Sequence, residues 1–172
     1  MNTTSRLLLA AAISLALVAC TKKVKETDTT SSSGGGTTSA STTPYDSTGK
    51  FQPVDLDSHP CLRQRTVYFD FDQDMLKPEF QAIVACHAKY LQDRPESRMT
   101  LEGNADERGT REYNLGLGER RGNAVSSAIQ GSGGSASQIT VVSYGEERPT
   151  CLDSGEDCWS KNRRVEIVYT AK

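Results

Sequence analysis

Neither sign of charge is in excess in this 172-residue chain: 20 lysines and arginines stand against 22 aspartates and glutamates, for a formal net charge of −2. That balance excludes a polybasic nucleic-acid binder as the first reading. Histidine is scarce, with only His59 and His87, and none of the five cysteines forms a Cys-x-x-Cys pair, so a structural zinc site lacks its usual ligands. No Ser/His/Asp or Cys/His grouping suggests nucleophilic catalysis. No apolar run approaches the roughly 20 residues that span a bilayer as a helix. The main one, Leu7 to Ala19, is thirteen residues long and broken by Ser14. Hydrophobic residues amount to 35%, too few for a chain that packs from end to end.

What is present at the start reads as an address. Arg6, the apolar run and small Ala19 fit an export signal over residues 1–19. Leu17-Val18-Ala19-Cys20 resembles the lipobox of bacterial lipoproteins. The resemblance implies that the Cys20 sulfur takes a diacylglycerol, a thiolate being a strong nucleophile, and that the peptide before it is removed and the new amine acylated. Several acyl chains on one residue anchor firmly. Thr21 stands where an Asp would resemble an inner-membrane retention signal, so the resemblance implies an outer-membrane lipid anchor with the rest of the protein facing the periplasm. Ser, Thr and Gly fill 19 of positions 21–50, a composition that buries too little surface to offset the entropy of ordering. Residues 20–60 are therefore expected to be the lipidated cysteine and a disordered, flexible linker, and residues 61–172 one folded domain.

In that domain the periodicity changes with each segment. Val67, Phe69 and Phe71 alternate with Tyr68, Asp70 and Asp72, which predicts a strand. Pro78 opens a helix carrying Phe80, Ile83, Val84, His87, Ala88 and Leu91 at helical spacing, stopped by Asp93-Arg94-Pro95. A second strand follows around Met99 and Leu101, a second helix from about Glu112 to Gln130, and two more strands at Ile139–Tyr144 and Val165–Tyr169. The order β-α-β-α-β-β predicts an α/β sandwich, with two helices packed on one face of a four-stranded mixed sheet. His87, on an apolar helix face, is expected to be packed rather than reactive. In an exported protein Cys61, Cys86, Cys151 and Cys158 read as two disulfides with three possible pairings. Cys151 and Cys158 bracket a polar loop they could close, which would leave Cys61 to meet Cys86.

Several motifs fail on their own spacing. Read as a calcium loop, Asp70-Phe71-Asp72-Gln73-Asp74 would place Met75 where Gly is required and Gln81 where Glu is required. As a haloacid-dehalogenase-type nucleophile loop it has Gln73 where Thr or Val is expected, leaving a phosphohydrolase only as a remote alternative. Gly116-Leu117-Gly118 lies inside a helical pattern and lacks the third glycine of a dinucleotide fingerprint. The second helix is more informative. Tyr113, Leu117, Ala124, Val125 and Ala128 mark its expected inner face, and Arg121 falls near the centre of that face. A guanidinium aimed at a packed layer needs an acceptor, and Asp106 lies just ahead of this helix. Two readings stay open: an internal Asp106–Arg121 salt bridge, or two opposite charges holding a zwitterion between them.

Gly103-Asn104-Ala105-Asp106-Glu107-Arg108-Gly109-Thr110, Glu112-Tyr113-Asn114, Leu117-Gly118-Glu119-Arg120-Arg121 and Asn123-Ala124-Val125 resemble the OmpA-like peptidoglycan-binding domain. Val67 to Asp72, Val142 to Glu146 and Ser160 to Glu166 extend the likeness over about 110 residues in order. With the lipobox and linker, the whole chain resembles the peptidoglycan-associated lipoproteins of that family. The resemblance implies a binding module with no cofactor and no catalysis. Its ligand would be the diaminopimelate of peptidoglycan stem peptides, with Asp106 receiving the ammonium and Arg121 the carboxylate. Phe71, Asp72 and Leu117 match positions lining the same cleft, with Asn114 and Arg163 as supporting candidates. The implied partners are peptidoglycan, the outer membrane through Cys20, and the Tol complex with its periplasmic propeller TolB, in envelope integrity and cell division. Service to another envelope assembly is the alternative. Gly118 and Gly122 stand where the family often has Ser and Ala, and Gly122 is expected to loosen the helix.

Overall fold

A computed structural model of the chain describes residues 49–172. The expected export signal, Cys20 and the linker as far as residue 48 lie outside the described residues. The sheet runs β1 (Thr66–Tyr68), β4 (Arg164–Ala171), β2 (Arg98–Asn104), β3 (Ile139–Gly145) from edge to edge. β1 and β2 are antiparallel to β4, and β3 is parallel to β2, so the sheet is mixed as expected. The helices are α1 (Asp55–Ser58), α2 (Pro60–Arg63), α3 (Gln81–Asp93), α4 (Arg111–Gly131) and α5 (Glu156–Asn162). α3 and α4 are the two predicted helices. Val84, Ala88 and Leu91 of α3 and Val125 and Ile129 of α4 share one core with Leu101 of β2 and Val165 and Ile167 of β4. Among the described residues no helix is long and apolar enough to cross a membrane.

The packed chain begins earlier than residue 61. Phe51, only 2% exposed, and Leu56 are buried in the main core. Phe51 lies against the Tyr90 ring, 6.2 Å between centroids, and its N–H donates to Asp93 Oδ2 at 3.0 Å. Phe51, Val54 and Leu56 stand at uneven intervals among polar residues and set no strand or helix period, so the sequence reads as linker here. Cys61–Cys86 then ties α2 to α3, and Cys151–Cys158 closes the second loop. α5 follows that loop and was not predicted; its polar sequence, Glu156-Asp157-Cys158-Trp159-Ser160-Lys161-Asn162, has no apolar stripe.

β1 is shorter than predicted. Phe69 N–H still reaches Arg163 O at 2.9 Å, but the chain then turns through Asp72, the only non-glycine described with positive φ (56°). Asx residues tolerate this left-handed conformation better than most. The alternation of Phe71 and Asp72 thus continues into a loop, whose Asp70 and Gln73 carbonyls bond to Arg121 rather than to a strand.

α4 shows why hydropathy misplaced its face. The buried stripe is Asn114, Leu117, Gly118, Arg121, Gly122, Val125, Ser126 and Ile129, whereas Tyr113 is exposed. Five of those eight residues are polar or lack a side chain. The two glycines set the helix against the sheet. A Cβ on Gly103 of β2 would stand 2.6 Å from the Gly118 carbonyl carbon, and one on Gly122 would stand 2.5 Å from Val141 Cγ1. Gly122 therefore permits close approach to β3, instead of merely loosening the helix, and side chains at either position would push the layers apart.

Candidate functional site

Four segments meet at one end of the sheet: the loop after β1, the Asn104–Thr110 turn after β2, the first turns of α4, and the end of α5. They enclose a cleft of about 190 Å³. Its walls include all seven residues singled out in the sequence: Phe71, Asp72, Asp106, Asn114, Leu117, Arg121 and Arg163. Arg108, Gly109 and Tyr113 complete the lining and were not foreseen as site residues. α4 is aimed at the cleft by Thr110, whose side chain accepts from Tyr113 N–H at 3.2 Å.

Arg121 forms the floor, with 0% exposure. It is not paired with Asp106. Its Nε donates to Gln73 O at 2.8 Å, Nη1 to Asn104 O at 2.8 Å and Nη2 to Asp70 O at 3.1 Å. One guanidinium thus binds three backbone carbonyls from two loops, and of its five N–H groups two remain. Burial, helped by the neighbouring Arg163 charge, lowers its pKa to about 10, while the Asp106 charge acts in the other direction. Arg121 stays cationic at neutral pH.

Asp106 is 4% exposed and is fully engaged. Arg108 donates to it three times, from N–H and Nε to Oδ1, both at 3.1 Å, and from Nη2 to Oδ2 at 2.6 Å. Arg163 Nη1 adds a bond to Oδ2 at 3.2 Å. Burial pushes the Asp106 carboxyl up, but these donors outweigh it and hold the pKa below its ordinary value. The salt-bridge reading of Asp106 with Arg121 is therefore replaced: each charge has its own partners, and the two share a cleft.

The rim is aromatic and acidic. The Arg108 guanidinium lies over the Phe71 ring at 3.8 Å and over the Trp159 ring at 4.2 Å, a cation held between two π faces. Trp159 Nε1 and Ser154 Oγ both donate to Glu107 Oε1 at 2.9 Å. Glu156 receives both terminal nitrogens of Arg163, and Arg163 Nε donates to Phe69 O. On the opposite side the Tyr113 hydroxyl donates to Asp72, and Asn114 donates to Glu146. Three guanidiniums, of Arg108, Arg121 and Arg163, and two carboxylates, of Asp72 and Asp106, line the cleft, with Glu156 bonded to Arg163 behind them, so the cleft carries both signs.

The metal and enzyme alternatives find no support in this geometry. Asp70 pairs with Lys77 at 3.4 Å and Asp72 with Tyr113, so the two aspartates of the dehalogenase-like motif serve separate contacts. Among the described residues the one cluster of three metal-ligating types is His59, Cys61 and Cys86, whose two sulfurs are joined in a disulfide. His87 is packed, as expected: Nε2 donates to Gln64 O at 3.0 Å and Nδ1 accepts from Tyr169 O–H at 2.9 Å.

Residues 68–163 match the sequence pattern of the OmpA family, more than half of the chain. The chain belongs to the OmpA family. The matched span contains all seven candidate residues. The peptidoglycan-associated lipoprotein of Pasteurella multocida is 45% identical over 107 residues, covering 62% of this chain and 71% of that protein. That of Pseudomonas putida is 50% identical over 102 residues, 59% of this chain and 61% of that one. In three dimensions the OmpA-family domain matches the crystal structure of the peptidoglycan-associated lipoprotein from Burkholderia pseudomallei, with TM-score 0.66 and 41% identity over 67% of this chain and 98% of that chain. The C-terminal domain of Helicobacter pylori MotB, at 20% identity and TM-score 0.57, shares the fold alone. These relationships bear out the recognition made from the motif blocks, and the phosphohydrolase alternative falls with them: the chain is not an enzyme.

Proposed function

We propose that this OmpA-family protein is a lipid-anchored outer-membrane protein that binds peptidoglycan non-covalently through the diaminopimelate of its stem peptides. The observation that carries the reading is the convergence of Asp106 and Arg121, two nearly inaccessible and oppositely charged groups with separate structural partners, on one cleft. The free end of diaminopimelate bears an ammonium and a carboxylate on one carbon. Asp106 takes the ammonium. The two N–H groups left on Arg121 take the carboxylate as a pair. Leu117 and Phe71 cover the methylene stem, while Asn114 and Arg163 hold the wall of the site in place. A lysine in the same stem position lacks the second carboxylate and leaves Arg121 uncompensated, which disfavours it. Cys20 supplies the lipid, the domain faces the periplasm, and weak single sites gain strength when many tethered copies face one polymer. TolB and the Tol complex are the proposed protein partners, placing the protein in envelope integrity and cell division.

Sedimentation with purified cell walls tests this. Diaminopimelate-type walls should retain the protein and lysine-type walls should not. Asp106→Asn and Arg121→Lys should each lose most of the retained fraction. Arg121→Lys is preferred to Ala because Lys keeps the charge and part of the volume among the three carbonyls. Equal retention on both wall types, or undiminished retention of both variants, would refute the assignment.

A further inference from the structure

Both groups that the proposed function requires are covered in the free protein, and for Asp106 the cover can be named. Arg108 occupies the carboxylate through a two-nitrogen contact from the side chain and a third bond from its own backbone N–H. No ligand ammonium can take that face of Asp106 while the Arg108 side chain remains. Nor is Arg108 a fixed part of the wall. Its guanidinium has no bond to a backbone carbonyl, unlike Arg121 and Arg163, and it lies between Phe71 and Trp159, which hold it by their faces and so allow sliding. At the far end of that slot Glu156 Oε2 is already 3.7 Å from Arg108 Nη2.

We infer that Arg108 is an internal stand-in for the ligand's ammonium, displaced from Asp106 toward Glu156 when ligand enters. The inference rests on the proposed use of Asp106 as the ammonium receptor and deepens it. The exchange conserves charge: Asp106 gives up one cation and gains another, and Glu156, now hydrogen-bonded by Arg163 with Arg108 at 3.7 Å, draws the second guanidinium into hydrogen-bond range. Phe71 and Trp159 remain stacked on Arg108 throughout, so the movement costs one ion pair and not the whole arrangement. Glu156 opens α5 within the Cys151–Cys158 loop, and Trp159 follows Cys158 at the middle of the helix. That otherwise unexplained loop thereby becomes the receiving side of the exchange. Glu156 acts as a positioning residue that never touches the ligand.

The test uses the full chain with both disulfides intact, and a muropeptide ending in diaminopimelate, titrated by calorimetry. Trp159 is the only tryptophan, so its emission reports separately on the stacked Arg108. Arg108→Ala frees Asp106 and should bind the muropeptide about tenfold more tightly, the scale of one charge-assisted contact no longer broken. Arg108→Gln, which keeps the side chain's bulk without charge, should also bind more tightly than wild type. Glu156→Gln should bind several-fold more weakly, and this loss should vanish when combined with Arg108→Ala. Ligand should change Trp159 emission in wild type and not in Arg108→Ala. Unchanged or weaker binding by both Arg108 variants, with Asp106→Asn still abolishing binding, overturns the exchange and leaves the site assignment standing. Binding that survives Asp106→Asn, or no binding by any form, overturns both.

Discussion

Lowering the pH from 8 to 5 should destabilise the protein by about 2 kcal/mol through one buried side chain, His87. The ring lies between α3, β4 and the segment before β1, wholly shielded from solvent. The Gln64 carbonyl can only accept, so Nε2 carries the proton and Nδ1 must accept from Tyr169 O–H. A second proton, on Nδ1, would force the Tyr169 hydroxyl to turn from donor to acceptor, in a site shielded from solvent and with the Arg65 charge nearby. Burial first, and Arg65 second, lower the pKa to about 4, against the bond to Gln64, which acts to raise it. The unfolded chain titrates this residue near 6.5. Its folded pKa is thus depressed. The stability it contributes is complete above pH 6.5 and is lost as the pH falls toward 4, because the unfolded state binds the extra proton first. Integrating between those two values gives about 2 kcal/mol lost by pH 5 and about 3 at the limit. For a domain of this size that lowers Tm by on the order of 10 °C. Urea unfolding followed by Trp159 fluorescence at pH 8, 7, 6 and 5 measures the slope before most carboxylates titrate. His87→Gln, which can keep both hydrogen bonds and cannot be protonated, should be nearly flat over the same range. Equal slopes for wild type and His87→Gln would refute the reasoning, since His59 is present in both.

The glycine contacts give a sharp contrast: Gly103→Ala should cost more than 3 kcal/mol or abolish folding, because its neighbour at Gly118 is backbone that cannot swing away. Gly131→Ala, at the last turn of α4 with open space around it, should be neutral or stabilise by about 0.5 kcal/mol in the same urea assay. Replacing Cys61 and Cys86 together by serine should cost about 3 kcal/mol and replacing Cys151 and Cys158 about 2, in line with the lengths of the loops they close. The second replacement should also weaken muropeptide binding, because it releases Glu156 and Trp159, whereas the first should leave affinity unchanged. Matched effects of the two on affinity, read by calorimetry, would separate the α5 loop from the site.

The strands and the two long helices were legible because each buries an apolar set at a regular interval, as Met99 and Leu101 do in β2 and Val84, Ala88 and Leu91 do in α3. The cleft was legible for a different reason: its residues fall within separate, ordered family motif blocks, which periodicity alone does not supply. Spacing suggested that Arg121 points inward, and it does. Spacing could not show that its acceptors are carbonyls of Asp70, Gln73 and Asn104, since backbone groups carry no signature in side-chain sequence. Arg108 was in plain view within Gly103–Thr110, yet its stacking partner Trp159 lies 51 positions further on in a helix with no apolar face. Phe51 and Leu56 were not legible because they and exposed Val54, at uneven intervals beside a Ser/Thr/Gly-rich stretch, do not make a pattern.

With the proposed lipid on Cys20, the burial of Phe51 caps the reach of the domain from its anchor. A lipid on Cys20 would be joined to the fold at that ring by 31 peptide steps, which covalent geometry limits to about 100 Å. Release of the chain at residue 61 would have lengthened this radius by about 35 Å. One aromatic side chain seated under α3 thus trims roughly a quarter from the distance at which an anchored copy could still touch the wall.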